Sequence, residues 1–447
     1  MERLSLNSLE NWFNSKLRKP LIVWGARQVG KSHLIEELFL KPKFGKNYLY
    51  IDLIKNDEDR AFFSTTTDPK KYLSYIELKY QRKISNDFPL VFDEVQKCPQ
   101  VLTSLKYFCT DFPEIPIIVT GSLVRISLKE QSDDFLFPVG KVNEMFMFPM
   151  TFEEFLINKN SKLYNLIVNS YKTKTALDDI AHRLAIDTLF EYLSLGGMPE
   201  VLKTYFETNS FLDAYKVRKD IYNNYIADMD TYNISNENVL KTRAVYKNIY
   251  SQLNKENKNF KISYVEKGKS NRDYFNAYQW LILSNVVYKS SKLKEKVSLP
   301  LVEDNNSLFR MYLSDVGLFG HQSGINSSYF FNKIAYSNIS GIFFENYVAC
   351  ELAAHGIPLF YWCGKNEYEF EFVVENQGIA VPIDVKKKSG SLNSLKEFRN
   401  HNKKGLAIKI SQNKLGFDKD NLLLTIPLYQ VFMLSKDLEE NRNIFTI

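Results

Sequence analysis

Cysteine and histidine are scarce in this chain. Its four cysteines, Cys98, Cys109, Cys350 and Cys363, never fall in C-x-x-C spacing, which argues against a disulfide framework or a zinc site as an organising device. The five histidines are equally scattered, and nothing suggests a Ser/His/Asp or Cys/His nucleophile. No apolar run approaches the ~20 residues that span a bilayer. The opening "MERLSLNSLENWFNSKL" lacks the apolar stretch of a secretory leader. The expectation is a cytoplasmic protein with no membrane partner. Repeats and low-complexity tracts are missing as well. An excess of one charge is also lacking: +6 over 447 residues permits nucleic-acid binding without requiring it. What remains, 45% hydrophobic and 25% charged residues, describes a soluble globular chain with room for roughly two to four domains.

The most informative stretch is "WGARQVGKSH", Trp24 to His33. Gly25 to Ser32 fits the phosphate-loop pattern G-x-x-x-x-G-K-[ST]. Its glycines let backbone N–H groups turn inward around a phosphate, Lys31 reaches the β- and γ-phosphates, and the Ser32 hydroxyl ligates Mg²⁺. The context agrees, because "LIVW" before it reads as a buried strand and "KSHLIEELFL" after it as a helix. A glycine turn before a helix is the bland alternative. The expected ligands are ATP and Mg²⁺. The expected contacts are Gly25, Ala26, Arg27, Gln28, Val29, Gly30, Lys31, Ser32 and His33. A second segment, "FPLVFDEVQ", ends an apolar strand in two carboxylates. Asp93 would hold Mg²⁺, and Glu94 would polarise the attacking water, which favours a hydrolase over a phosphotransferase. "NYLYIDL" and "IPIIVTGS" supply further strands. Either Thr120 or Ser122 at the end of the latter could sense the γ-phosphate, or merely cap the next helix.

Strand and helix signals alternate to about residue 150, so the fold class is α/β, with a P-loop parallel sheet over 1–150. Residues 151–250 read as a helical lid broken at "LGGMPE". In 251–325, two helices precede "NVVYKSSKLKEKVSLP", which reads as a hairpin carrying Lys289, Lys292, Lys294 and Lys296. That is the outline of a winged helix; a solvated hairpin whose lysines guard an edge is the competing account. The Ser- and Asn-rich stretch 322–339 reads as a linker to a final α/β region, 326–447.

The segments "GARQVGKS", "LVFDEVQ", "IIVTGS", "FMFPMTFEEF", "YLSLGGMPEVL" and "RMYLSDVGL" together resemble a prokaryotic group of AAA-type P-loop ATPases. Their C-terminal domain, of unknown function, is described as similar to restriction-endonuclease-like, PD-(D/E)XK nucleases. The resemblance runs from about Leu4 to the end. Lys141 stands where the group commonly has an arginine, and Lys lacks the bidentate fork of a trans-acting arginine finger. Arg125 and Arg218 are the fallback residues if a homo-oligomer completes the site.

The C-terminal text fits the same resemblance. "GIFFENYVACELAAHG" reads as a helix carrying Glu345. "NEYEFEFVVENQGIAVPIDVKKK" reads as a hairpin turning at Glu375 to Gly378. Glu367, Glu369 and Glu371 share one face of its first strand, and Asp384 and Lys386 one face of its second. Carried over residue by residue, Glu345, Glu371 and Asp384 would be metal ligands. Glu371, Asp384 and Lys386 would be catalytic in a metal-dependent nuclease, with DNA or RNA as the partner. Glu371 stands where the group usually has Asp. A nucleotide-controlled switch or scaffold, its C-terminal fold inactive and binding a protein, is the competing function.

Overall fold

The computed structural model describes residues 1–121, 137–232, 236–305, 308–325, 333–364, 368–386, 392–402 and 405–444. They form two compact units, one of Arg3–Phe148 with Leu283–Asn285, the other of Met1–Glu2, Pro149–Ile282 and Val286–Ile447.

The first unit is built on five strands: β1 (Leu21–Gly25), β2 (Leu49–Asp52), β3 (Leu90–Asp93), β4 (Ile117–Gly121) and β5 (Asn143–Met147). All neighbours are parallel, in the order β2-β3-β4-β1-β5. The sequence explains the order of exposure. "LIVWG", "LVFD" and "IIVTG" are continuous apolar runs and are buried on both faces, as the interior of a parallel sheet demands. β2 alternates between buried and half-buried residues, β5 is accessible up to its last residue, Met147, and the two lie at the edges. The helix Pro99–Asp111 starts on proline and buries Val101, Leu102, Leu105 and Phe108 along one stripe. These side chains join Ile22, Ile51, Phe63, Tyr72 and Phe92 in one core.

The second unit begins with helices. Phe152–Lys159 opens on a capping box in which Thr151 and Glu154 satisfy each other's backbone donors. Ser161–Thr173, Asp179–Leu195, Pro199–Thr208 and Phe211–Tyr232 follow. Three segments far apart in sequence meet at one joint. The Met150 N–H donates to the Gly197 carbonyl at 2.7 Å, and the Tyr192 hydroxyl donates to the Met150 carbonyl at 2.8 Å. Asp315 accepts from Gly197 N–H at 2.6 Å and from Leu318 N–H at 2.8 Å. A Cβ on Gly197 would lie 2.0 Å from the Met150 oxygen, and one on Gly317 2.2 Å from the Leu195 oxygen. "FPMTF", "LGGMPE" and "SDVGL" are therefore the parts of a tight backbone crossing.

Two sheets follow. β6 (Val287–Lys292) pairs antiparallel with β7 (Phe309–Leu313), β8 (Phe360–Cys363) pairs parallel with β6, and β9 (Glu369–Phe370) pairs antiparallel with β8. The partner strand of "VYKSSK" is thus "FRMYL", and the basic stretch 294–300 is in no strand; it is flanked by a single bridge, Leu293 to Glu303. The other sheet is β10 (Phe372–Asn376), β11 (Ile379–Val385), β12 (Ala407–Ser411), β13 (Gly416–Asp418) and β14 (Leu423–Pro427), ordered β10-β11-β12-β14-β13. β10 and β11 form the expected hairpin, turning at Gln377 and Gly378, both at positive φ. Its first strand is not continuous: the chain bends at Glu371, where it passes from one sheet to the other. The helix Lys333–Ala354 begins inside the Ser- and Asn-rich stretch expected to be a linker. Its apolar residues Phe343, Phe344, Tyr347, Val348 and Leu352 are fully buried, and that burial outweighs weak helix formers at its start.

Candidate functional site

The carboxyl ends of β1, β3 and β4 bring three chemistries to one edge of the first sheet, where an open parallel sheet binds ligands. β1 runs into the loop Gly25–Ser32. Gly25, Gln28 and Gly30 all sit at positive φ, so the backbone curls as an anion cradle requires. Gly25 is needed for a second reason: a Cβ there would lie 2.4 Å from the Met147 oxygen. The following helix winds as a π-helix over His33–Leu40, anchored by Leu34 N–H to the Gly30 carbonyl at 2.9 Å. Ser32 and His33 are exposed at its start, Arg27 is half-buried and Gln28 exposed, while Ala26 and Val29 pack inward.

Lys31 is buried, and its Nζ donates to the carbonyls of Gly25 (2.9 Å) and Ala26 (2.8 Å). Burial draws its pKa down to about 8, against the pull of Glu94 and Asp93 in the other direction. Asp93 is the hub. Its carboxylate accepts from the Ser32 hydroxyl at 2.9 Å, from the Glu94 N–H at 3.0 Å, and from the hydroxyls of Tyr50 and Thr120. Burial, followed by Asp93, raises the Tyr50 pKa, so the phenol stays a donor. Glu94 takes a left-handed conformation at φ 59° and accepts from the Gln96 amide. A glutamate held at positive φ on a strand end is a strained backbone position of the kind that collects at working sites.

The structure brings Lys31, Ser32, Asp93, Glu94 and Thr120 together. Ser122 and Arg125 lie outside the described residues. Lys141 is half-buried on the first unit. Arg218 is 3% exposed and donates to the Ser194 carbonyl inside the helical region. That guanidinium is committed within its own unit, which removes it as a finger. Tyr50 was the residue missed. "NYLYIDL" gives the strand, but only its pairing with β3 shows that the hydroxyl reaches Asp93.

The C-terminal acids also converge with Lys386, together with two cations, Lys258 and Arg310, that the local sequence pattern did not include. Glu345, Glu369, Glu371 and Asp384 face Lys258, Arg310 and Lys386. Lys386 bridges Asp384 at 2.9 Å and Glu371 at 3.3 Å. Lys258 lies 2.7 Å from Glu345, 3.1 Å from Glu369 and 3.6 Å from Glu371. Arg310 pairs with Glu345 at 3.2 Å and with Glu369. The Tyr312 hydroxyl donates to Glu345 at 2.6 Å, and the Val385 N–H to Glu371 at 2.9 Å. Burial alone would lower the Lys258 pKa, but Glu345, Glu371 and Glu369 outweigh it and raise it. Burial works against Glu369 too, yet Arg310 and Lys258 bring its pKa down to about 2. Every oxygen of Glu345 and Glu371 therefore already has a donor or a cation partner.

The expected basic wing is divided. Lys289 pairs with Glu303 at 3.2 Å and Lys292 is half-buried, which leaves Lys294 and Lys296 exposed. Among the described residues, no helix is long and apolar enough to cross a membrane.

Comparison with known families identifies the first region. Residues 17–156 match the model of an AAA domain. The N-terminal region is thus an AAA-type P-loop ATPase domain, an ATP-binding α/β fold on a parallel sheet. Residues 186–329 and 340–429 match two further families, each described as a domain of unknown function (DUF8612 and DUF4143). No curated protein matches the chain. Solved structures align loosely. The Aeropyrum pernix ORC2 protein, solved as ADPNP-ADP complexes, is 11% identical with a TM-score of 0.36, over 76% of this chain and 94% of that one. The Aeropyrum pernix ORC1 protein in complex with DNA is 12% identical with a TM-score of 0.28, over 71% and 90%. A DNA polymerase III gamma subunit-related protein of Thermotoga maritima is 15% identical with a TM-score of 0.22, over 77% and 99%.

Proposed function

We propose that this chain is a Mg²⁺-dependent ATP hydrolase that works as a nucleotide-controlled device on nucleic acid. The observation that carries the hydrolase is the Asp93 hub, which sets a P-loop hydroxyl, a strand-end carboxylate and the adjacent Glu94 side by side. Ser32 and Asp93 would hold Mg²⁺, which supplies charge neutralisation at the transferring phosphoryl oxygens. Lys31 turns from the loop carbonyls to the β- and γ-phosphates. Glu94 orients and polarises the attacking water and takes up its proton. Thr120 and Tyr50 fix the Asp93 carboxylate. The test is phosphate release by the purified chain with and without Mg²⁺. Glu94→Gln keeps ATP binding and loses turnover by about 10²-fold or more. Hydrolysis at the wild-type rate by that variant removes the assignment. Turnover per subunit that rises with protein concentration supports a homo-oligomer, whose completing residue is then Lys141 or Arg125.

We assign the ATPase to 1–150, a helical lid to 151–250, a winged-helix-like region to 251–325 and a nuclease-like region to 326–447. Support for the last comes from its element order. A helix carrying Glu345 is followed by a hairpin carrying Glu371, Asp384 and Lys386, then by a helix (Asn393–His401) crossing to the parallel strand β12. Exposed Lys294 and Lys296 support DNA or RNA as partner, and such binding weakens steeply with salt. A second reading, in which this region is a non-cleaving scaffold, is favoured by Lys258 and Arg310 among the acids. Incubation with plasmid and single-stranded DNA under Mg²⁺ or Mn²⁺ separates the two: cleavage lost in Asp384→Ala and Lys386→Ala establishes the nuclease. Salt-sensitive binding without cleavage leaves the scaffold.

A further inference from the structure

The acids of the C-terminal basin do not fit a resident metal as they are placed. Glu345 spends one oxygen on Lys258 and the other on Arg310 and Tyr312. Glu371 spends one on Val385 N–H and the other on Lys386 and Lys258. Lys258 Nζ reaches three carboxylates at once, which is the place a divalent ion bridging those acids would take.

Nor is Lys258 a loose side chain that has folded inward. It lies on the segment between the helix Ile249–Leu253 and the turn Ile262–Tyr264, and the three residues that follow it are each anchored. Phe260 N–H donates to the Phe309 carbonyl at 2.8 Å, and their rings stack at 6.2 Å. Lys261 N–H donates to the Gln252 side chain at 2.7 Å, and the Tyr361 hydroxyl donates to Asn259. Arg310 follows Phe309 directly, so a single backbone contact delivers both cations. Their side chains are 16% and 3% exposed, whereas that of Lys386 is 34% exposed. Among the described residues of the cluster, Arg310 and Lys258 are therefore the more buried cations, and Lys386 the most exposed.

We propose that Lys258 is the resident cation of this basin, standing in for a divalent metal and keeping the basin closed to one until it is withdrawn. Four carboxylates are balanced against three cations; with Lys258 gone they face two, and the deficit attracts an external cation. The proposal deepens the scaffold reading above and rests on it. The two fail separately, since metal uptake tests Lys258 and strand cleavage tests the scaffold.

The experiment is Mn²⁺ titration of the full-length, nucleotide-free chain by electron paramagnetic resonance. Every protein carries Asp93→Asn, so that the P-loop does not contribute. With Lys258 in place, no Mn²⁺ site sensitive to Glu371→Gln is expected. Lys258→Met gains one site per chain, at least about tenfold tighter, and loses it again on adding Glu371→Gln. Lys258→Arg, which keeps the charge, gains none. Glu371-dependent binding with Lys258 intact overturns the proposal, as does a folded Lys258→Met without uptake. Should Lys258→Met fail to fold, Lys258→Gln replaces it. If both fail, refolding restored by millimolar Ca²⁺ supports the proposal, and no rescue by the ion overturns it.

Discussion

Ser32 and Asp93 lie 61 residues apart in the chain, and their side chains share a 2.9 Å hydrogen bond. Parallel pairing makes this meeting unavoidable. β1 and β3 both pair with β4, so the loop after one and the carboxylates ending the other open on the same edge. A hydroxyl and a carboxylate at that separation can share one cation, and Lys31 sits close enough to feel both Asp93 and Glu94.

The state of Lys31 sets a pH dependence. Burial brings its pKa down to about 8, and only the ammonium form neutralises phosphate. Below that pH the lysine is already charged, so ATP affinity should be flat. Above it a proton must be taken up on binding, and affinity should weaken by up to about tenfold per pH unit. Calorimetric titrations from about pH 7 to about pH 9.5 measure this. Lys31→Arg should bind more weakly but show no such slope, because the guanidinium does not titrate there. An affinity that stays constant across the range in the unmodified protein rules the argument out.

Tyr50 is expected to act through Asp93 and not on the nucleotide. Tyr50→Phe removes one donor to a charged acceptor, an interaction worth about 1.5–3 kcal/mol. Turnover should fall by roughly one to two orders of magnitude, with ATP affinity little changed and the Mg²⁺ requirement shifted to higher concentration. A purely structural role would instead lower the melting temperature and leave the Mg²⁺ dependence where it was. Measuring kcat against Mg²⁺ concentration alongside a thermal melt distinguishes the two.

Legibility in the sequence followed the range of the interaction. The P-loop and the Asp93-Glu94 pair are local patterns, each written in fewer than ten consecutive residues, and both stand where they were expected. The β10–β11 hairpin was legible because its turn residues and alternation are local too. Tyr50 was not, since its partner is 43 residues away and no periodicity links a phenol to a carboxylate across a sheet. Lys258 lies 87 residues from Glu345, on a segment that reads as a polar loop. The expected hairpin within "NVVYKSSKLKEKVSLP" is not closed inside that stretch: its first strand pairs with the buried "FRMYL" further along the chain. A basic stretch is soluble wherever it lies, so charge said little about pairing.

The joint between "FPMTF", "LGGMPE" and "SDVGL" should tolerate no side chain. Gly197→Ala would place a Cβ 2.0 Å from the Met150 oxygen, and both sides of that contact are backbone. Overpacking of this kind costs about 1–3 kcal/mol or more. The expected result is a melting temperature lower by roughly 4 °C or more, or a chain that does not accumulate in soluble form. Gly341→Ala is the control. It lies in the helix Lys333–Ala354 with nothing within 4 Å of an added Cβ, and it should stabilise by about 0.5–1 kcal/mol. Equal melting temperatures for the two variants would contradict this account.

Glu351 offers a test of burial against charge. One of its oxygens accepts from Phe152 N–H at 2.9 Å, and the other has no hydrogen-bond partner among the described residues. Burial, reinforced by Glu153 and Glu154 against Lys436, lifts its pKa to about 8. In an unfolded chain a glutamate titrates near about 4.3. Between those values the folded state holds a proton that the unfolded state has released, so this residue makes stability fall as pH rises, by up to about 1.4 kcal/mol per unit. Glu351→Gln keeps an acceptor for Phe152 and cannot ionise. Its stability relative to the unmodified protein should therefore increase from about pH 5 to about pH 8, as read from urea unfolding at each pH. Every other ionisable group is common to both proteins, so the difference isolates position 351. A difference that stays constant over that range, or shrinks as pH rises, shows that the carboxyl ionises in place and is solvated or paired when it does.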